Sequence, residues 1–286
     1  MPSFNLAAEA KRNRRIRRKF VVLGEVAAPA MLAGDLYRAC YLPVMNLWTE
    51  ASKRIAAEYA RTLSAMTTDA PSDIQGEIDG AAEAFNRLFL TLTPSLRDWT
   101  LKVERVIRNR WTRQVYSATS VDLSTRLSAY DVADTLESYI AWNVDLVREV
   151  SDQVRQRIAS RVFSGLTQRK PAREVANEIS EAVGMGRDRA KRIASDQLSK
   201  ISATLADQRR IEAGIDTWQW IHSGKTHPRK EHLARDGDYY SDNPARVGTR
   251  VDGKTILAPP ERGDRPGQPP YCGCRSRSVI IWDDEP

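Results

Sequence analysis

The 286 residues carry 44 Lys and Arg against 37 Asp and Glu, a formal net charge of +7 with a pI near 9.4. This length allows roughly one to three domains, and no run approaches the ~18 apolar residues that a transmembrane helix needs. Three cysteines with one close pair do not make a disulfide framework, so a reducing compartment is expected rather than a secreted, disulfide-stapled fold.

Residues 1–28 read as a basic N-terminal arm, helical in part. Lys11, Arg12, Arg14, Arg15, Arg17, Arg18 and Lys19 place seven cations in nine positions. Such a block repels itself and is expected to be a solvated, disordered arm. It could neutralise nucleic-acid phosphates without reading sequence, and docking on an acidic protein surface is a third use. The apolar stretch 20–32 imitates a signal peptide, but Glu25 and Pro29 interrupt it and no small-residue cleavage site follows.

Residues 29–128 read as a helical N-terminal domain. Pro29, Gly34 and Pro43 punctuate its start. Val44, Leu47, Trp48, Ile55, Tyr59 and Leu63 then recur at helical spacing over 44–66. A second helix over 72–92 carries Ile74, Ile78, Ala81, Phe85, Leu88 and Phe89. Thr93 and Pro94 have the chemistry of an N-cap and first helical residue, so a third helix is expected to begin there. A break follows at 119–122.

The segment 129–214 continues helical. One long helix over 129–163 has its edge at Leu136, Ile140, Val144, Val147, Val150, Val154, Ile158 and Val162, with Ser164-Gly165 as its stop. Lys170-Pro171 opens a shorter helix that Gly184-Met-Gly186 should end, and an amphipathic helix over 187–213 closes at Gly214. The architecture this predicts is mostly α, a helical bundle with short connections, followed by a small α+β C-terminal module of short antiparallel strands and a Pro/Gly-rich loop.

That module, 215–286, holds all three histidines and two of the three cysteines. Residues 215–222 alternate and are rich in β-formers. Residues 226–237 read as one or two helical turns ended by Gly237. Asp252-Gly253 suits a type I′ hairpin, 258–270 is the Pro/Gly-rich loop, and 275–282 is a closing strand. A module this small has little core of its own, and a structural metal is a common remedy. Cys272 and Cys274 share a face if extended, and His232 with His227 or His222 would complete an N/S donor set that suits Zn²⁺. His232 is the better imidazole, because His227 lies before Pro228 at the helix entry and points away from His232 on any regular helix. The metal candidates are therefore His232, Cys272, Cys274 and His227. Ordinary packing of these groups is the plain alternative. A Cys–His–Asp nucleophile using Asp236 is available on inventory alone.

With these residues in place, the C-terminal half resembles the phage Mu F-like head-morphogenesis family, the minor head or minor capsid proteins. The resemblance rests on Trp218 and Trp220, Arg229-Lys-Glu-His232, Asp236-Gly237, the Pro-rich loop 258–270 and Cys272-Gly-Cys274-Arg275. Upstream, 162–176 and Arg189-Ala-Lys-Arg-Ile-Ala194 look like the family's helix entries. Two positions depart from it. Ala194-Ser-Asp-Gln197 stands where the family often has Ala-Arg-Thr-Glu, and Gly273 stands between the cysteines where Arg is usual. The resemblance covers roughly 135–282 and makes 129–214 the helical part of a head-morphogenesis domain. It implies a virion protein of the phage head interior or portal vertex, assembled in the host cytoplasm with no membrane anchor. Its partners would be the portal protein, the major capsid protein or both, with phage DNA contacted through the basic arm. It would act in head morphogenesis, DNA packaging or ejection and have no enzymatic activity. The alternative function is a metal-dependent nuclease, or another DNA-acting enzyme, using the His/Cys module.

Overall fold

The computed structural model describes residues 4–13, 19–65 and 70–282. Helices dominate: α1 (Leu6–Asn13), α2 (Met31–Leu36), α3 (Leu42–Ala65), α4 (Ala70–Thr119), α5 (Ala133–Gln168), α6 (Ala172–Glu212) and α7 (Lys230–Ala234). The strands are β1 (Phe20–Val22), β2 (Thr217–Ile221), β3 (Tyr239–Ser241), β4 (Arg250–Val251), β5 (Lys254–Leu257) and β6 (Arg275–Ile281). No described helix is long and apolar enough to cross a membrane. The chain divides into two compact units, one of Met31–Thr100 with Glu137–Ser195, the other of Met1–Ala30, Leu101–Leu136 and Asp196–Pro286.

The first unit is a helical bundle. The expected apolar stripes form its core, with Trp48, Ile55, Tyr59, Leu96, Trp99, Val154 and Ile158 all buried. Its buried polar atoms find partners across helices: Trp48 Nε1 donates to Ser151 Oγ at 2.9 Å, and Trp99 Nε1 to the Leu32 carbonyl at 2.7 Å.

Several expected breaks are absent, for identifiable reasons. Pro43 does not delay the helix start; a π-helical turn (Tyr37–Tyr41) joins α2 to α3. Leu42 N–H reaches back to the Tyr37 carbonyl, and the wider turn makes room for the proline that follows. Pro94 lies inside α4 rather than opening a new helix. Buried Leu92 and Leu96 hold the helix on either side, while exposed Leu90 and Thr91 put the turn that loses its hydrogen bond at the surface. Gly165 and Gly186 are not stops either. A Cβ at Gly165 would sit 2.6 Å from Val175 Cγ2, and one at Gly186 would sit 2.5 Å from Val154 Cγ2. These glycines let helices approach closely, a role that reads in sequence like a terminator. The stop of α5 is Arg169, in the left-handed region at φ 51°, with Lys170 N–H returning to the Gly165 carbonyl at 2.9 Å.

The second unit is built on a sheet of order β1-β6-β2-β3-β5-β4. Asp252 and Gly253 both have positive φ (51° and 75°), as the type I′ turn between β4 and β5 requires. Two features were not expected. The β3–β5 pair is parallel rather than antiparallel, reached through the turn after β3. The arm is helical in part, as expected, with α1 burying Leu6 and Ala10, but it also supplies β1, which pairs with β6 and places Phe20 opposite Ile281. Leu6 N–H bonds the Ala213 carbonyl at 3.0 Å, and Arg126 grips Glu9 at 2.7 Å. Alternation sends Tyr239, Val251, Ile256 and Val279 to one core cluster and Trp218, Trp220 and Tyr240 to another, which Cys272 and Cys274, just ahead of β6, join.

The end of α6 is fixed by two adjacent buried arginines, Arg209 toward α4 and Arg210 toward the end of β3. Arg209 pairs with buried Glu104 at 2.8 Å and with Glu212 at 2.7 Å. Arg210 pairs with Asp242 at 2.8 Å and donates to the Ile215 carbonyl at 2.9 Å. Asp242 also receives Arg265 at 2.8 Å. Burial alone would raise the Asp242 pKa, but Arg210 and Arg265 outweigh it and hold the carboxyl below its usual range.

Candidate metal centre

Strand β2 places Trp218 and Trp220 two apart on one face, and the chain then returns against it. Gly237 N–H bonds the Trp220 carbonyl and Trp220 N–H bonds the Asp238 carbonyl, both at 2.9 Å. These bonds lay the short helix α7 over the indole of Trp220. His232 on α7 is buried, with its ring edge-on to Trp220 at 5.0 Å between centroids. The cysteines enter from the other side. Cys272 N–H closes a turn onto Pro269, and Cys274 directly precedes β6.

Together these elements bring His232, Cys272 and Cys274 into one group whose ligand atoms all lie within 4.8 Å of one another. His232 Nδ1 is 3.5 Å from Cys272 Sγ and 3.7 Å from Cys274 Sγ. The other ring nitrogen, Nε2, is 3.0 Å from Asp264 Oδ1. With Nε2–H donated to this carboxylate, the Nδ1 lone pair faces the sulfurs, the carboxylate–histidine arrangement that fixes a metal-ligating imidazole. Arg235 holds the second Asp264 oxygen at 2.6 Å. Burial would raise the Asp264 pKa, but hydrogen bonds with His232 and Arg235 hold it low.

The sulfurs sit in surroundings made for negative charge. Backbone N–H groups of Cys274 and Gly267 point at Cys272, and that of Ser223 points at Cys274. The hydrogen bond between the thiols, followed by these amides, draws the Cys272 pKa well below the usual thiol range. Cys274 is pushed up, because it keeps the proton of its hydrogen bond to Cys272, is desolvated by burial and would stand as a second thiolate beside the first. Two sulfurs and one imidazole nitrogen, all buried, are a donor set able to hold a thiophilic divalent ion.

The loop bearing Cys272 is clamped from α6. Tyr271 is in the left-handed region at φ 59°, and its N–H donates to Asp196 Oδ1 at 2.6 Å. Asp196 is itself buried and paired with buried Lys200 at 3.0 Å. Gln268 Nε2 reaches Thr204 Oγ1 at 3.0 Å. The departures from the family pattern thus have local explanations. Asp196 is the acceptor that holds the cysteine loop. At Gly273 a Cβ would lie 2.9 Å from Ser223 Cβ and 3.0 Å from Lys225 Cε, so Lys225 already fills the space of a middle side chain.

The remaining candidates fall elsewhere. His227 is exposed and lines a cleft beside the group without joining it. His222 Nδ1 accepts from Gly224 N–H at 3.1 Å. Asp236 accepts from His222 N–H at 2.8 Å, so it belongs to that turn; the carboxylate against His232 is Asp264. Asp264 was not singled out in sequence, where Arg262-Gly-Asp264 looks like any other turn of the Pro-rich loop. Of the basic arm, Lys11 and Arg12 lie exposed on α1 and Lys19 stands exposed just before β1. Arg14, Arg15, Arg17 and Arg18 lie outside the described residues.

Residues 152–277 match the family model described as Phage Mu protein F like protein. The matched stretch begins in α5, ends in β6 and contains His232, Cys272 and Cys274. An uncharacterized protein of Haemophilus influenzae (strain ATCC 51907 / DSM 11121 / KW20 / Rd) is 25% identical over 163 residues. The alignment takes in 57% of this chain and 33% of that protein, so the chain spans about a third of the length of this curated relative. No solved structure matches.

Proposed function

We propose, from the match of residues 152–277 to the family model described as Phage Mu protein F like protein, that the protein is a minor head protein of a bacteriophage, acting in head morphogenesis through the portal, the major capsid protein or both. The family match carries this reading. Two features are in keeping with it. The helical bundle offers long surfaces for a ring-shaped or shell-forming partner. The cationic block 11–19 suits a phosphate-rich interior, and its contact with phage DNA would be non-specific and salt-sensitive. Roles in packaging or ejection and a place in the head interior or at the portal vertex follow from the same premise.

In this reading the module is a structural element rather than an active site, and Zn²⁺ bound by His232, Cys272 and Cys274 staples it. A metal-dependent nuclease would want carboxylates on the ion. Here the nearest acidic partner, Asp264, faces the imidazole nitrogen turned away from the sulfurs. The test is mass spectrometry of purified phage heads from a host carrying the intact phage and from one carrying a nonsense mutation in this reading frame. The protein should co-purify with heads, and its loss should leave heads malformed or non-infectious. Normal, infectious heads without it would overturn the proposal.

A further inference from the structure

Three protein ligands do not complete a tetrahedral ion. Among the described residues no fourth His, Cys, Asp or Glu joins the group. The nearby acids are committed elsewhere, Asp264 to the far side of His232 and Asp236 to the His222 backbone. What adjoins the group is a cleft of about 280 Å³ whose lining includes His232, Cys272 and Cys274. A water occupies roughly 30 Å³ of liquid, so the cleft has room for several waters or a phosphate-sized group. Its lining includes Lys225 and Arg229 and no carboxylate. Both cations are held in place by backbone carbonyls, Lys225 by Tyr271 at 2.5 Å and Arg229 by Pro270 at 3.0 Å.

From this placement we infer that the metal centre keeps an open coordination position facing the cleft, and that the position accepts a phosphate-type oxyanion, with Lys225 and Arg229 as its cationic clamp. The inference rests on the metal reading above and adds a ligand to it. Two buried thiolates cancel the charge of a divalent ion, so the ion alone gives an anion little net attraction. The preference for an oxyanion comes from the rim cations, which present N–H donors and no competing acid. His227, also lining the cleft, is the rival for the fourth position. Free phosphate and the phosphodiester of a nucleic acid share the recognised chemistry.

The test uses the full-length protein loaded with Co²⁺, whose visible and thiolate charge-transfer bands report the ligand set. The probes are inorganic phosphate and, separately, a short oligonucleotide lacking terminal phosphates. The expected result is a resting spectrum unchanged in His227→Ala and shifted by phosphate, by the oligonucleotide or by both. A shift with phosphate alone identifies the free anion as the ligand, and a shift with the oligonucleotide identifies the phosphodiester. In Lys225→Gln/Arg229→Gln, both changes at exposed positions, the resting spectrum should persist while the half-saturating probe concentration rises at least about tenfold. A thiolate band indifferent to both probes, or one altered in His227→Ala alone, overturns the open position and leaves the metal centre standing. The absence of any cobalt–thiolate band overturns both.

Discussion

Gly267 offers a sharp test of how the cysteine loop is held. Its φ is +80°, and a Cβ there would sit 2.6 Å from Ala203 Cβ on α6, with the Ser199 and Cys274 carbonyls at 3.4 and 3.6 Å. Gly267→Ala therefore incurs two separate costs. The left-handed backbone costs an L-residue about 1–2 kcal/mol. The steric overlap costs roughly 1–3 kcal/mol more, since α6 is buried here and cannot move freely. Gly253→Ala isolates the first term, because Gly253 has φ +75° with nothing within 4 Å of the added Cβ. Thermal unfolding should then show Gly253→Ala down by ~1–2 kcal/mol and Gly267→Ala down by ~3 kcal/mol, or roughly 6–12 °C. The clash has a named partner, so Ala203→Gly should relieve it. That change alone costs about 1 kcal/mol of helix propensity, yet in the Gly267→Ala background it should cost nothing or restore stability. Simple additivity of the two losses would refute the contact and, with it, the account of how α6 seats the cysteine loop.

Other outcomes follow from the same contacts. Arg209→Met leaves Glu104 buried with only Arg108 beside it, so chemical denaturation should show a loss of about 3 kcal/mol, much of it recovered in Glu104→Gln/Arg209→Met. Asp242 titrates below its usual range when folded. Its contribution is therefore complete above the unfolded Asp value of about 3.9 and lost as pH falls through the lower folded value; Asp242→Asn should flatten the acid limb of a stability–pH curve below about pH 4 and lower the plateau above it. Cys272→Ser/Cys274→Ser should abolish any chelator sensitivity of the melting temperature, whereas the wild type should melt lower after chelation. Deleting residues 1–19 removes the arm cations together with α1, so Lys11, Arg12, Arg14, Arg15, Arg17, Arg18 and Lys19 should instead be changed to Gln; nitrocellulose filter binding should then show weaker DNA binding with a shallower salt slope.

Much of this structure is legible from pattern. Period-3.6 stripes mark the helix cores because each stripe is buried, and the period-2 run 215–222 marks β2 because alternate residues enter a core. The turn chemistry of Asp252-Gly253 also reads directly, since it needs positive φ; Gly237 has positive φ as well, but α7 ends earlier, at Ala234 with Arg235 as its C-cap, and the Gly237 N–H bonds the Trp220 carbonyl instead. Pattern fails where one residue type serves two physical ends. Gly165 and Gly186 admit a neighbouring helix, and no local signal separates that from termination. Pro43 and Pro94 lie in helices held by their flanking packing. Phe20–Val22 is too short and too close to the charge block to stand out, and its partner β6 lies at the other end of the chain. The His232, Cys272 and Cys274 group was half readable. The Cys-x-Cys spacing and the short helical turn carrying His232 point to it, but Asp264 and Asp196 are distant in sequence and only the fold brings them to the site.

The account turns on whether His232, Cys272 and Cys274 hold an ion inside the stretch that matches the Phage Mu protein F like model. The most direct measurement is elemental analysis of the purified full-length protein with thiol titration in the native state. About one zinc per chain, with Cys272 and Cys274 protected until chelator is added, is the predicted result. Metal-free protein that fails to take up zinc on addition, with both thiols reacting at once, would contradict it.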